Sequence, residues 1–304
     1  MAEHSMSRIF SGLSAFPITP ADPAGVVDED ALAGLIHRLV DAGVDSIGLL
    51  GSTGTYAYLD RDARRRAITA AAAVKGAVPL IAGIGALRTD AVTRHADDAE
   101  DAGADGLLLA PVSYTPLTDD EVATHFFAVA EATALPICIY NNPGTTHFQF
   151  STALLQRLAD HPRIVAVKMP LPGNTSIADD LAALRAALPA DFLIGYSGDW
   201  GASAGLLSGA DAWFSVLAGT LPVLSKRLTH AAQNLDDTEV AALETQLAPL
   251  WDLFKRHGSL RVVYGIAQIL GLTTAEPPRP ILPIDHDTMT ALTQILQDLG
   301  GDAR

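Results

Sequence analysis

A chain of 304 residues, 49% hydrophobic and 18% charged, has ample material for a large core and fits one α/β barrel of roughly 250 residues plus an extension. Its formal net charge of −15 argues against a broad nucleic-acid or anionic-membrane surface. Its single cysteine, Cys138, excludes an intrachain disulfide and a cysteine-based metal cluster. Residues 1–8 lack the apolar segment of a signal peptide and no apolar run reaches membrane-spanning length, so a cytoplasmic protein is expected. In chain order, strand-like apolar runs occupy 13–18, 46–51, 79–84, 106–111, 136–141, 164–169, 192–197 and 212–217. Amphipathic, alanine-rich helices are predicted between them over 28–42, 60–75, 89–102, 118–133, 151–160, 175–188 and 199–208. Asp28, Asp60, Thr118 and Ser151 have the chemistry of N-caps. Gly43, Gly76 and Gly103 read as helix stops. One helix-to-strand turn recurs: Ala-Gly-Val-Asp at 42–45, Ala-Gly-Ala-Asp at 102–105 and Ser-Gly-Ala-Asp at 208–211.

Strands that alternate with helices in this way predict an α/β fold, a (β/α)8 TIM barrel. An open doubly wound sheet would carry a glycine-rich turn after its first strand. Here that position holds Thr19-Pro20-Ala21-Asp22-Pro23. Beyond residue 217 only helical patterns follow, interrupted at Pro222, Asp236-Asp237, Gly258 and the proline-rich 276–283. The expected organisation is a single domain over 1–304, with a barrel core at 8–220 and a C-terminal helical region at 221–304.

The run Ile164-Val165-Ala166-Val167-Lys168-Met169 reads as a strand buried on both faces that contains one lysine. Alternation places Lys168 on the face of Ala166 and Ile164. An ammonium there carries a desolvation cost unless it is paired or neutralised, and a lysine relieved of its proton is a nucleophile suited to Schiff-base formation. A lysine at a fraying strand end, its head in water, would give the same pattern. The other lysines, Lys75, Lys226 and Lys255, fall in helical or helix-end patterns. Cys138, in Pro136-Ile137-Cys138-Ile139-Tyr140, reads as a small apolar core residue.

In a barrel the chemistry lies where the strands end. Gly51-Ser52-Thr53-Gly54-Thr55 follows the second strand, and its hydroxyls and backbone N–H groups suit a carboxylate, although an ordinary turn has the same composition. Ser113-Tyr114 follows the fourth strand, Tyr140-Asn141-Asn142-Pro143 ends the fifth, and Gly195-Tyr196-Ser197-Gly198-Asp199 ends the seventh. An amine, two phenols and hydroxyl donors at one end of one barrel are the parts for 2-oxo-acid imine chemistry. His147 lies after the Tyr140 turn, either facing the pocket or solvated. The histidines show no metal-ligand spacing, so neither a metal nor any other cofactor is expected.

The combination of Gly51-Ser52-Thr53-Gly54, Tyr114, Tyr140-Asn141-Asn142-Pro143 and Lys168 resembles the dihydrodipicolinate synthase/N-acetylneuraminate lyase family of Schiff-base-forming lyases. The resemblance runs from Phe16-Pro17-Ile18-Thr19-Pro20 to the helical C-terminus. It implies that Lys168 forms the imine with pyruvate or a related 2-oxo acid and that Tyr140 is the general acid/base. Ser52 and Tyr114 would complete a proton relay, with Tyr114 arriving from a neighbouring subunit. Thr53 and the amides of the Gly51–Thr53 turn would hold the carboxylate, Gly198 would lie near the imine, and Phe214 would line the barrel mouth. It also implies a homotetramer, a dimer of dimers.

Three departures from that pattern stand out. Thr55 replaces a usual glutamate, Thr145 replaces the arginine that grips the second substrate's carboxylate in lysine-pathway synthases, and Met169-Pro170-Leu171-Pro172 replaces small polar or acidic residues. The expectation is therefore a class I lyase or aldolase with a different second substrate. A sugar-acid dehydratase using the same imine, and an authentic lysine-pathway synthase, remain as alternatives. A small-acid binder without turnover is disfavoured by the joint presence of Lys168, both tyrosines and the Ser52-Thr53 pair.

Overall fold

The computed structural model describes residues 7–300; residues 1–6, part of the stretch read for a leader, and 301–304 lie outside the described residues. Eight parallel strands close into a barrel in sequence order. They are β1 (Gly12–Ala15), β2 (Ser46–Leu49), β3 (Leu80–Gly83), β4 (Gly106–Leu109), β5 (Ile137–Tyr140), β6 (Ile164–Met169), β7 (Leu193–Tyr196) and β8 (Ala212–Ser215). Pairing of β8 with β1, Phe214 opposite Ser14, completes the ring. The helices are α1 (Glu29–Asp41), α2 (Arg61–Val74), α3 (Thr89–Asp101), α4 (Asp119–Ala132), the single turn α5 (Pro143–Thr146), α6 (Thr152–Ala159), α7 (Ile177–Ala187), α8 (Ala202–Leu207), α9 (Pro222–Gln233), α10 (Asp237–His257), α11 (Ser259–Ile269) and α12 (His286–Leu299). This is the expected (β/α)8 barrel with C-terminal helices. Among the described residues no helix is long and apolar enough to cross a membrane.

Local chemistry explains where elements begin. The side chains of Asp28, Asp60, Thr118 and Ser151 each accept the backbone N–H three residues on, and Thr118 forms a capping box with Glu121. The recurring turn has a purpose beyond reversal of the chain. Asp45 accepts the Leu13 N–H at 2.7 Å, Asp105 the Leu80 N–H at 2.8 Å and Asp211 the Ile194 N–H at 2.7 Å. Each aspartate thus ties the entry of one strand to the preceding strand, and all three are ion-paired: Asp45 to Lys226 and Asp105 to Lys75, both at 2.8 Å, and Asp211 to Arg185 at 2.5 Å.

Most observed strands are shorter than the predicted apolar runs. After β1, β2 and β4 the remainder of the run leaves the ladder at the C-terminal end and stays buried: Leu50, fully buried, turns into the left-handed region at φ 57 and starts the loop after β2. The 199–208 helix divides into a tight turn at Asp199–Gly201 and α8. On β6 the simple alternation fails. Ile137 pairs with Ile164 but Cys138 pairs with Ala166, so Val165 is an extra residue in the ladder. The bulge sends Ile164 to the outer layer under the helices, while Ala166 joins the barrel interior, so Ile164 does not share the face of Lys168. The interior holds Phe10, Phe16, Leu108, Cys138, Ala166 and Phe214; the outer layer runs on through Phe254, Val263 and Leu292 of α10–α12.

Candidate active site

A cavity of about 680 Å³ opens at the C-terminal ends of the strands. Lys168, next to last in β6, reaches its floor and is 2% exposed. Its Nζ stands 3.9 Å from the ring centroid of Phe16, 4.4 Å from that of Tyr140 and 5.7 Å from that of Phe214. Among the described residues no carboxylate forms an ion pair with it. The three rings offer electrostatic compensation for a cation at this position. Space for two of those rings comes from glycines. A Cβ on Gly48 would lie 2.2 Å from the Phe16 ring, and one on Gly195 would lie 2.6 Å from the Phe214 ring.

Register places the next group. Tyr140 is the strand partner of Lys168, and its Oη lies 3.3 Å from Ser52 Oγ at the turn after β2. Thr53, buried, lines the same wall. Gly198 lines the opposite wall at φ 94, with Leu171 so near that a Cβ would approach it to 2.9 Å. Thr145 lines the mouth, and its Oγ1 donates to the Asn142 carbonyl at 3.3 Å. A buried amine, a hydroxyl pair and a backbone-rich turn in one cavity can form and protonate an imine.

The remaining residues singled out in the sequence lie elsewhere. Gly51 is one step behind the wall, where a Cβ would meet the Phe16 ring at 2.7 Å. Phe214 does not line the mouth: it is 1% exposed and sits beneath the floor, edge-on to Phe16. Its strand position, rather than a loop position, accounts for that depth. Tyr114 is 96% exposed and outside this chain's cavity. His147 is exposed and also outside, which favours its solvated reading. Cys138 is fully buried, and burial pushes its thiol far above the usual range, in keeping with a core role.

Three side chains at the site escaped sequence reasoning. Asp199 is 1% exposed, lines the cavity, and accepts hydrogen bonds from Ser215 Oγ at 2.7 Å and Leu217 N at 3.0 Å. Burial raises its carboxyl, an effect opposed by those donors and by the charge of Lys168. Tyr56 lies under the guanidinium of Arg64, 5.2 Å from its ring centroid, and burial pushes its phenol up to about 12. Asn142 donates to Tyr140 Oη at 2.9 Å. Asn142 and Asp199 each stood in a quoted stretch, the turns after the fifth and seventh strands, but neither was given a role there; Tyr56 stood in none.

The model of the dihydrodipicolinate synthetase family matches residues 9–299. The chain belongs to that family. It is an enzyme of the Schiff-base-dependent lyase class to which the family's members belong. It is 32% identical over 294 residues to the 4-hydroxy-tetrahydrodipicolinate synthase of Corynebacterium aurimucosum, covering 96% of this chain and 95% of that one. Among solved structures it resembles a dihydrodipicolinate synthase from Agrobacterium tumefaciens at 57% identity and a TM-score of 0.95, covering 97% of this chain and 100% of that one. A putative dihydrodipicolinate synthetase from Pseudomonas aeruginosa aligns at 29% identity and a TM-score of 0.89, covering 95% and 99% of the two chains.

Proposed function

We propose that this enzyme condenses or cleaves a 2-oxo acid, pyruvate or a close relative, through an imine on Lys168, and that its second substrate differs from that of 4-hydroxy-tetrahydrodipicolinate synthase. In this reading Lys168 Nζ adds to the C2 carbonyl and the resulting hydroxyl leaves as water. Tyr140 supplies the proton for that departure, relayed with Ser52. Thr53 and the Ser52–Thr53 amides hold the carboxylate, and Gly198 leaves room beside the imine. Tyr114 completes the relay from a second subunit of a dimer-of-dimers tetramer, which its 96% exposure in the single chain supports.

The observation that carries the reading is the charge inventory of the cavity. Among the described residues that line it, Lys168 and Asp199 alone are charged. Pro170, Leu171, Trp200, Val216, Leu260 and Ile281 form much of the rest. With Lys168 engaged by the first substrate, no second cation of this wall is left for the carboxylate of another substrate. An uncharged aldehyde or a hydroxylated chain fits it better.

The test is incubation with a panel of 2-oxo acids and borohydride, read by mass spectrometry. One reduced adduct should map to the Lys168 peptide and vanish in Lys168→Ala. An adduct that persists unchanged in that variant sinks the assignment.

A further inference from the structure

Asn142 does more than shape the turn after β5. Its side-chain nitrogen lies 2.9 Å from Tyr140 Oη and 3.4 Å from Ser52 Oγ. An amide nitrogen carries two hydrogens and accepts none, so it donates to both oxygens. That fixes the proton inventory of the trio. Tyr140 and Ser52, 3.3 Å apart, each keep their own proton while a lone pair of each is taken by Asn142. One hydroxyl then donates to the other, and the remaining proton is free to point into the cavity.

The donor is held rigidly. The Asn142 carbonyl accepts the N–H groups of Thr145 and Thr146, both at 3.0 Å, and the Thr146 hydroxyl at 3.0 Å. The Thr145 hydroxyl adds a fourth contact at 3.3 Å. Pro143, the first residue of α5, fixes the next backbone angle. The side chain of Asn142 is thus aimed by its own backbone, at the residue that begins the turn.

We infer that Asn142 is a positioning residue of the proton relay, the fixed donor that favours a phenolate on Tyr140 between its two proton transfers. The inference rests on the imine reading above. Tyr140 gives its proton to the hydroxyl of the carbinolamine, the C–O bond breaks, water departs, and the nitrogen lone pair forms the C=N bond of the iminium. The phenolate then takes a proton from C3, whose C–H pair becomes the double bond of the enamine, and Tyr140 is neutral again. In the interval the negative oxygen faces the Asn142 N–H, a bond that strengthens as charge develops.

The experiment follows deuterium exchange at C3 of pyruvate and of 2-oxobutanoate by NMR, beside borohydride trapping, in the full-length enzyme. Asn142→Leu should slow exchange about tenfold, the scale of one lost hydrogen bond to a charged group, with KM for the acid unchanged and the Lys168 adduct retained. Asn142→Asp is isosteric and presents acceptors instead of donors, so its exchange should fall at least as far. In a Tyr140→Phe background, Asn142→Leu should add no further loss, because it acts through the phenol. Wild-type exchange in both variants, or an independent further loss in the Tyr140→Phe background, overturns the inference. Exchange kept by Asn142→Asp but lost by Asn142→Leu overturns the donor role. If the wild-type enzyme gives neither adduct nor exchange with either acid, it is the imine reading that falls, and this inference with it.

Discussion

Lys168 and Phe16 come from opposite sides of the barrel and meet face to cation, with Nζ 3.9 Å from the ring centroid. β6 supplies the lysine; the buried start of the loop after β1 supplies the ring. A ring face attracts a cation by its quadrupole, and the attraction is largest where water is excluded. Both a lysine ammonium and an iminium are cations, so the contact serves before and after imine formation. Phe16→Leu keeps the apolar volume and removes the quadrupole. We expect turnover to fall by roughly 5- to 30-fold, matching about 1–2 kcal/mol for a desolvated contact, with the Lys168 adduct still formed. Wild-type turnover in Phe16→Leu would show that the ring only fills space.

Tyr140→Phe removes a hydroxyl and nothing else. Turnover should drop by roughly 10²–10⁴-fold, the usual scale for a general acid/base, while the melting temperature stays near that of wild type. Rates close to wild type would refute the role of the phenol.

Tyr114 offers a test of assembly as well as of chemistry. Mixed oligomers of Tyr114→Phe and Lys168→Ala, each inactive alone, should recover activity if the phenol crosses a subunit boundary. The same sample should show a tetrameric mass in light scattering. A monomer at micromolar concentration, or hybrids without activity, would contradict the shared site.

His95 of α3 gives a pH dependence of stability. Burial, together with Arg64, Arg61 and Arg94, and against the pull of Asp98, lowers it from 6.5 to about 4. The unfolded chain therefore takes up this proton first as the solution is acidified. Stability is unaffected by His95 above 6.5, declines as pH falls through 6.5 toward 4, and loses no more below that. In His95→Gln the drop in melting temperature between about pH 7 and about pH 4.5 should shrink by a few degrees. Parallel curves for the two proteins would contradict the assignment.

The barrel was legible because its signals are local and repeated. Four N-caps fall where an oxygen-bearing side chain precedes an apolar period, and the three Gly-x-Asp turns recur because each aspartate ties one strand to the strand before it. The β6 bulge was not legible, since an extra residue in a ladder leaves no mark on an apolar run that suits both faces. Lys168 was found because a charge inside such a run is conspicuous. Asn142 and Asp199 were missed for the opposite reason: polar residues in loops look solvated until the fold buries them, and their partners lie far off in sequence, Ser52 for one and Ser215 for the other. Phe214 was placed too high because a strand residue near its end reads the same whether its side chain meets the mouth or the layer beneath.

Thr145 bears on the choice of second substrate. In lysine-pathway synthases the corresponding residue is an arginine, by the resemblance on which the sequence reading rests. Here the threonine hydroxyl turns back to the Asn142 carbonyl at 3.3 Å, and Leu171 packs over Gly198 to make the facing wall apolar. A guanidinium can hold a carboxylate through two charge-assisted hydrogen bonds, which a hydroxyl cannot match. Loss of that contact in a desolvated pocket costs a few kcal/mol, or roughly two to three orders of magnitude in rate. A coupled assay with pyruvate and aspartate semialdehyde should therefore show weak activity. A catalytic efficiency of about 10⁴ M⁻¹s⁻¹ or above would overturn the expectation. Thr145→Arg should raise the weak activity by about tenfold or more, the gain of one charge-assisted bond. If it does not, the missing arginine is not what sets this enzyme apart, and the apolar wall around Leu171 and Trp200 becomes the next element to replace.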